Sequence, residues 1–117
     1  MRDMNSVNIT GRLGSDFELK DVGDNNVCAT ARIAIGDSYK DSNGAWVDTV
    51  TWQTLKYWNS RAKGIANGDN FRTGDHVAVS NAKLVHNTTG KGEDTRHFHS
   101  IEGGKIERIS RPVREEE

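Results

Sequence analysis

The sequence predicts an all-β domain with one short helix, built as a five-stranded Greek-key barrel with the helix between the third and fourth strands. Three observations carry that prediction. Apolar residues recur at every second position in several separate runs, the spacing of strands with one face in a core and the other in water. Clusters of Gly, Asn and Asp punctuate those runs. The period changes after Trp58, where apolar residues fall at helical spacing.

Val7, Ile9, Gly11 and Leu13 alternate with Asn8, Thr10 and Arg12, a first strand with Gly11 at a bend or close approach. Gly14, Ser15 and Asp16 break it. Phe17 and Leu19 then begin a short extended piece that ends in the turn cluster from Gly23 to Asn26. Ala29, Ala31, Ile33 and Ile35 alternate with Cys28, Thr30, Arg32 and Ala34, which gives a second strand whose small inward residues suit a tightly curved barrel. Residues 37–44 read as a polar loop ending in Asn43-Gly44, a dipeptide that tolerates positive φ. That loop leads into the third strand, so strands two and three form a long hairpin with Tyr39 and Lys40 near its tip.

After Trp58, Asn59 or Ser60 caps a helix with Ala62, Ile65 and Ala66 on one stripe, weakened by Gly64 and ended by Gly68. So short a helix needs tertiary support, and plugging a barrel end beside Phe71 supplies it. Thr73-Gly74-Asp75 turns the chain into a fourth strand with Val77 and Val79 inward. Leu84 has the opposite parity, which predicts a bulge between Ser80 and Ala82. Residues 87–94 read as a Gly-rich hairpin loop. Its Gly90-Lys91-Gly92 lacks the Gly-x-x-x-x-Gly-Lys-Ser/Thr of a phosphate loop. The last strand spans 96–101, and after Gly103-Gly104 comes a short extended piece over 105–109. Residues 1–110 are thus one domain, and 111–117 are expected to be a disordered tail. Five strands with a helix in that place is the order of the oligonucleotide/oligosaccharide-binding (OB) barrel.

The third strand carries the functional signal. It holds all three tryptophans of the chain, Trp46, Trp52 and Trp58, at positions an even number apart, hence on one face with Val50, Thr54 and Lys56. The opposite face carries Leu55 and Tyr57. One face can enter the core. If it is the tryptophan face, Leu55 and Tyr57 are left outside. If it is the other, three indoles stand in solvent with Lys56 between two of them and Tyr39 and Lys40 upstream, which suits stacking of flat rings together with phosphate contacts. Arg12 and Arg32 add to the basic set, with Lys83, Lys91 and Arg96 as further candidates.

Composition narrows the partner. Hydrophobic residues make up 33% of 117 and mean hydropathy is -0.76, so the core is small. A net charge of -1 argues against holding a polyanion by bulk charge; a basic face must be segregated from Glu115, Glu116 and Glu117. The lone cysteine, Cys28, cannot form an internal disulfide and fits a reducing, cytoplasmic setting. No signal peptide or membrane-spanning stretch is read, and no cofactor is implied.

The ordered set Asn5-x-Val7-x-Ile9-x-Gly11-Arg12-Leu13-Gly14-x-Asp16, Gly44-x-Trp46-x-Asp48-x-x-x-Trp52 and Gly74-Asp75-x-Val77-x-Val79 resembles the bacterial and phage-type single-stranded DNA-binding proteins, over Met4 to about Ile109. The resemblance implies sequence-independent binding and protection of single-stranded DNA in replication, recombination and repair, without catalysis. It also implies assembly as a homo-oligomer, a dimer or tetramer, partly through first strands. It places Trp52 at the family's stacking tryptophan, Trp58 at a ring six residues on, and Tyr39 at the aromatic of the second hairpin. The family's further tryptophan, between the last two strands, has no counterpart from Asn87 to Thr95, where His86 or His97 is the nearest substitute. Phe17 stands where the family usually has proline. The family's acidic, apolar C-terminal tip is not matched, so recruitment of repair and replication enzymes by that route is not expected. The implied location is the bacterial nucleoid, or host cytoplasm for a phage or plasmid protein.

Two other readings remain. A primosome-type module of the same fold would act mainly through protein partners. A metal-binding protein would use His97 and His99, two apart on a strand, with His86 approaching from the neighbouring one.

Overall fold

The structure is a computed structural model that describes residues 3–67, 71–90 and 92–112. Among the described residues, seven strands and one α-helix follow in the order β1 (Val7–Leu13), β2 (Glu18–Gly23), β3 (Asn26–Lys40), β4 (Trp46–Trp58), α1 (Asn59–Asn67), β5 (His76–Thr89), β6 (Arg96–Glu102) and β7 (Lys105–Ser110). Neighbouring strands run β1-β3-β4-β6-β5, and β1 pairs with β5 to close a five-stranded barrel. These five are the strands read from the sequence. The two short extended pieces are β2, paired with β3, and β7, paired with β5.

The barrel interior is filled by the residues whose parity pointed inward. Ala29, Ala31 and Ile33 of β3, Leu55 and Tyr57 of β4, and Val77 and Val79 of β5 are all buried, with Leu13 and Ile101. Alanines on β3 let the backbone curve closely over the core. Gly11 serves the same end on β1, since a Cβ there would lie 2.5 Å from the Ala34 carbonyl oxygen. The helix plugs the barrel: Ala62 is buried, and Ile65, Ala66 and Phe71 pack against the core. Phe17 meets Tyr57 and Phe71 edge to face, at 5.9 and 6.1 Å between ring centroids. The Tyr57 hydroxyl is buried without a hydrogen-bond partner among the described residues, and burial pushes its pKa up to about 12.

The bulge falls where parity demanded it. Val7 pairs with Ala82 but Ile9 with Val79, so β5 carries one extra residue there, and Asn81 adopts φ 57°. Asn5 holds the root of the next segment by donating to the Leu84 carbonyl and accepting from the Leu84 amide, each at 3.0 Å.

Several local expectations are corrected. Residues 37–40 are strand, because the β3–β4 ladder runs without interruption from Cys28–Trp58 to Lys40–Trp46. The loop proper is closed by Asp41, whose side chain accepts from the Asn43 and Ala45 amides, both at 2.9 Å, while Gly44 takes φ 80°. β5 likewise runs on to Thr89, paired with β6. Leu84 is exposed rather than inward; Ala82 takes the inward place after the bulge. Asn59 has φ 56° and accepts from the Val27 amide at 3.2 Å, so it turns the chain out of β4. Gly68 lies outside the described residues, as do 113–117 of the expected tail.

Arg111, placed in that tail by the sequence, is fastened to the barrel. Its Nε and Nη2 donate to the two carboxylate oxygens of Asp75 at 2.8 and 2.9 Å, and Asp75 also accepts from the Arg72 amide at 2.9 Å. Asp75 is fully buried. The Arg111 hydrogen bonds hold its carboxyl below the usual aspartate range despite burial.

Candidate nucleic-acid interface

Residues directly opposite each other in an antiparallel ladder share a face, so the register decides what stands with the tryptophans. Trp46 pairs with Lys40, Trp52 with Ala34, Thr54 with Arg32, Lys56 with Thr30 and Trp58 with Cys28. Arg12 pairs with Ala34 from the other side, so Arg12, Ala34 and Trp52 form one row across three strands. Because Leu55 and Tyr57 fill the core, this face is the outer one. Trp46, Trp52 and Trp58 are 67%, 50% and 41% exposed. The arrangement with the tryptophans in the core is thereby excluded.

Each indole is held differently. The Arg32 guanidinium lies 5.5 Å from the Trp52 ring centroid, and the small Ala34 beneath leaves room for the ring to lean toward Gly14. A Cβ at Gly14 would overlap the ring atom Cζ3 and come within 2.9 Å of Cη2. We expect Gly14→Ala to displace the Trp52 ring and weaken single-strand binding several-fold at an unchanged melting temperature, read by titration and by the tryptophan emission maximum. Unchanged emission and affinity would show that Gly14 does not set the ring. Trp58 donates from Nε1 to Glu102 Oε1 at 2.9 Å. Glu102 also accepts from Ser100 Oγ at 2.9 Å, and Ser100 accepts from Asn87 at 2.8 Å, a chain that fixes the indole plane. Lys40 Nζ sits 5.3 Å from the Trp46 centroid at the hairpin end.

Tyr39 pairs with Val47 and so stands on the opposite face of the β3–β4 ribbon from the three indoles. It is exposed, but does not join their row. Asp48, opposite Ser38, separates Trp46 from the Trp52 to Trp58 segment. Arg12, Arg32, Lys56, Trp52 and Trp58 therefore make one patch, with Trp46 and Lys40 beyond it.

The sequence reading did not single out three neighbours of this patch. Phe98 on β6 is 38% exposed, with its ring centroid 5.3 Å from Lys56 Nζ; Leu84 lines the same cleft as Trp52, and Gly14 lies against the Trp52 ring. An exposed ring alternating with His97 and His99 on a predicted strand was the available signal for Phe98. Those histidines do not converge on a point: His86 stacks on His97 at 5.0 Å, with a 3.0 Å ring-nitrogen contact, and tilts over His99 at 5.2 Å. Among the described residues no group of three His, Cys, Asp or Glu is placed to hold a metal ion. Lys91 lies outside the described residues.

A barrel of OB order with exposed indoles and cations on one outer face defines a binder of unpaired nucleic acid. The model of the single-strand binding protein family matches residues 4–107, and the chain belongs to that family. It binds single-stranded DNA; proteins of the family act without catalysis and assemble as oligomers. The fold is similar to a Plasmodium falciparum single-stranded DNA-binding protein solved in complex with single-stranded DNA, at a TM-score of 0.80 and 15% identity, covering 94% of this chain and 98% of that one. It is also similar to a deletion mutant of the single-stranded DNA-binding protein from Thermus aquaticus, at a TM-score of 0.75 and 14% identity, covering 92% of this chain and 51% of that one. Among curated protein sequences none matches. Among the described residues no helix is long and apolar enough to cross a membrane.

Proposed function

We propose that this chain coats single-stranded DNA during replication, recombination and repair in the cytoplasm, through Trp52 and Trp58 as stacking rings and Arg12, Arg32 and Lys56 as phosphate contacts, with Trp46, Lys40 and Tyr39 reached by longer strands. It performs no catalysis. The observation that carries this reading is the exposure of Trp52 and Trp58 beside those cations, on the face opposite a closed core. Six residues along a strand separate the two rings by roughly 20 Å, so they serve different nucleotides. Stacking accepts any base, which makes the contact independent of sequence.

Three cations on the patch fix the ionic contribution. Each neutralised phosphate of a single strand contributes about -0.7 to the slope of log affinity against log salt, so a slope near -2 is expected for a short oligo-dT. Anisotropy titrations of labelled oligo-dT across a salt series measure it. A slope near zero would contradict the phosphate assignments, and equal affinity for duplex DNA would contradict the stacking. Assembly with further copies uses β1, whose Val7 to Gly11 stretch pairs with β5 along one edge, while along the other, among the described residues, β3 pairs with it at Arg12 and Leu13 and leaves the rest to a second chain.

A further inference from the structure

We propose that the cleft between Trp52 on β4 and Phe98 on β6 takes one nucleobase of the bound strand, with Phe98 as a second stacking ring on the side of the β5–β6 hairpin; this rests on the reading of the tryptophan face given above. The cleft follows from the sheet. β4 and β6 run parallel and pair at Leu55–Ile101 and Lys56–Glu102. Ahead of that junction β4 stays with β3 while β6 stays with β5, so the two strands diverge and the space between them opens as a V.

The walls of the V are unlike ordinary solvated strand. Trp52 stands on one side, and Phe98 and Leu84, 38% and 46% exposed, stand on the other. Gln53, Thr54 and His99 supply polar groups between them, within a volume of about 470 Å³. That volume lies within the roughly 300–1,000 Å³ of sites that enclose small organic ligands. Apolar walls with polar groups between them fit the flat face and hydrogen-bonding edge of a base. Arg32 at the Trp52 wall and Lys56 over Phe98 put a cation beside each ring, which suits the phosphates on either side of an inserted nucleotide. Glu102 at the vertex is occupied by the Trp58 indole and the Ser100 hydroxyl. Phe98 thus puts a ring near the root of the β5–β6 hairpin, whose stretch from Asn87 to Thr95 has none.

The test compares Phe98→Leu, Phe98→Trp and Trp52→Ala with wild type, against labelled oligo-dT and against an abasic deoxyribose-phosphate oligomer of equal length. Phe98→Leu keeps an apolar side chain but removes the ring. We expect it to weaken oligo-dT binding about five-fold or more, the range of one lost stack, while abasic binding and melting temperature stay unchanged and Phe98→Trp restores affinity. Wild-type affinity of Phe98→Leu for oligo-dT, with Trp52→Ala weakened, overturns the cleft and leaves the tryptophan face standing. Equal losses on both oligomers overturn it as well, since packing rather than stacking is then at work. Wild-type affinity of Trp52→Ala overturns the tryptophan face, and the cleft with it.

Discussion

Trp52→Ala lowers affinity for oligo-dT by about five- to a hundred-fold, corresponding to the roughly 1 to 3 kcal/mol of one base–aromatic stack. The ring is half exposed and its loss leaves the core untouched, so the variant melts with wild type. Trp58→Ala removes a stack of the same size. It also frees the Glu102 carboxylate on the binding face, an anion beside the phosphate path that the indole Nε1–H now holds. Trp58→Phe separates the two effects, because it keeps a ring and loses only the hydrogen bond. Anisotropy titrations with thermal melts of the three variants measure this. Wild-type affinity in folded Trp52→Ala and Trp58→Ala would contradict the assignment of both rings.

The second large effect is on stability. Arg111→Ala takes from the fully buried Asp75 carboxylate the guanidinium that hydrogen-bonds both its oxygens, leaving it the Arg72 amide and the charge of Arg108, and costs about 3 kcal/mol, the low end for breaking a buried pair because Arg111 itself is 31% exposed. Truncation after Ser110 is expected to do the same, because it removes Arg111. The pH dependence follows in sign. Asp75 has a folded pKa below its unfolded value, as does Asp16, which accepts from the Thr73 amide and hydroxyl at 2.7 and 2.8 Å. Each contributes stability above the unfolded aspartate pKa of about 3.9, and loses it as pH falls through the lowered folded value. Urea melts at pH 7 and through the acid range read both effects. An Arg111→Ala midpoint equal to wild type at pH 7 would show that the pair does not hold the chain end.

Much of this was legible in the residues because strand parity is a strict code. The even positions of the tryptophans, set against Leu55 and Tyr57, fixed which face lay outside once the core was known to need the aliphatic one. The mismatch of Val79 and Leu84 marked the bulge, although the inward place fell to Ala82. The polar run over 37–40 concealed strand, since a hairpin that leaves the barrel has water on both faces and needs no apolar alternation. Tyr39 was legible as exposed but not as turned away from the indoles, which depends on the register with Val47. Phe98 and Gly14 were not legible as neighbours of the patch, because contacts between strands distant in sequence follow from how the barrel closes. Arg111 read as tail for the same reason: its partner lies 36 residues upstream.

Intrinsic tryptophan fluorescence during titration with oligo-dT tests the central claim most directly, because all three indoles lie on the proposed path and none is in the core. Stacking predicts strong, saturable quenching that is reduced in Trp52→Ala and Trp58→Ala. Saturable binding by anisotropy with the indole emission unchanged would contradict it.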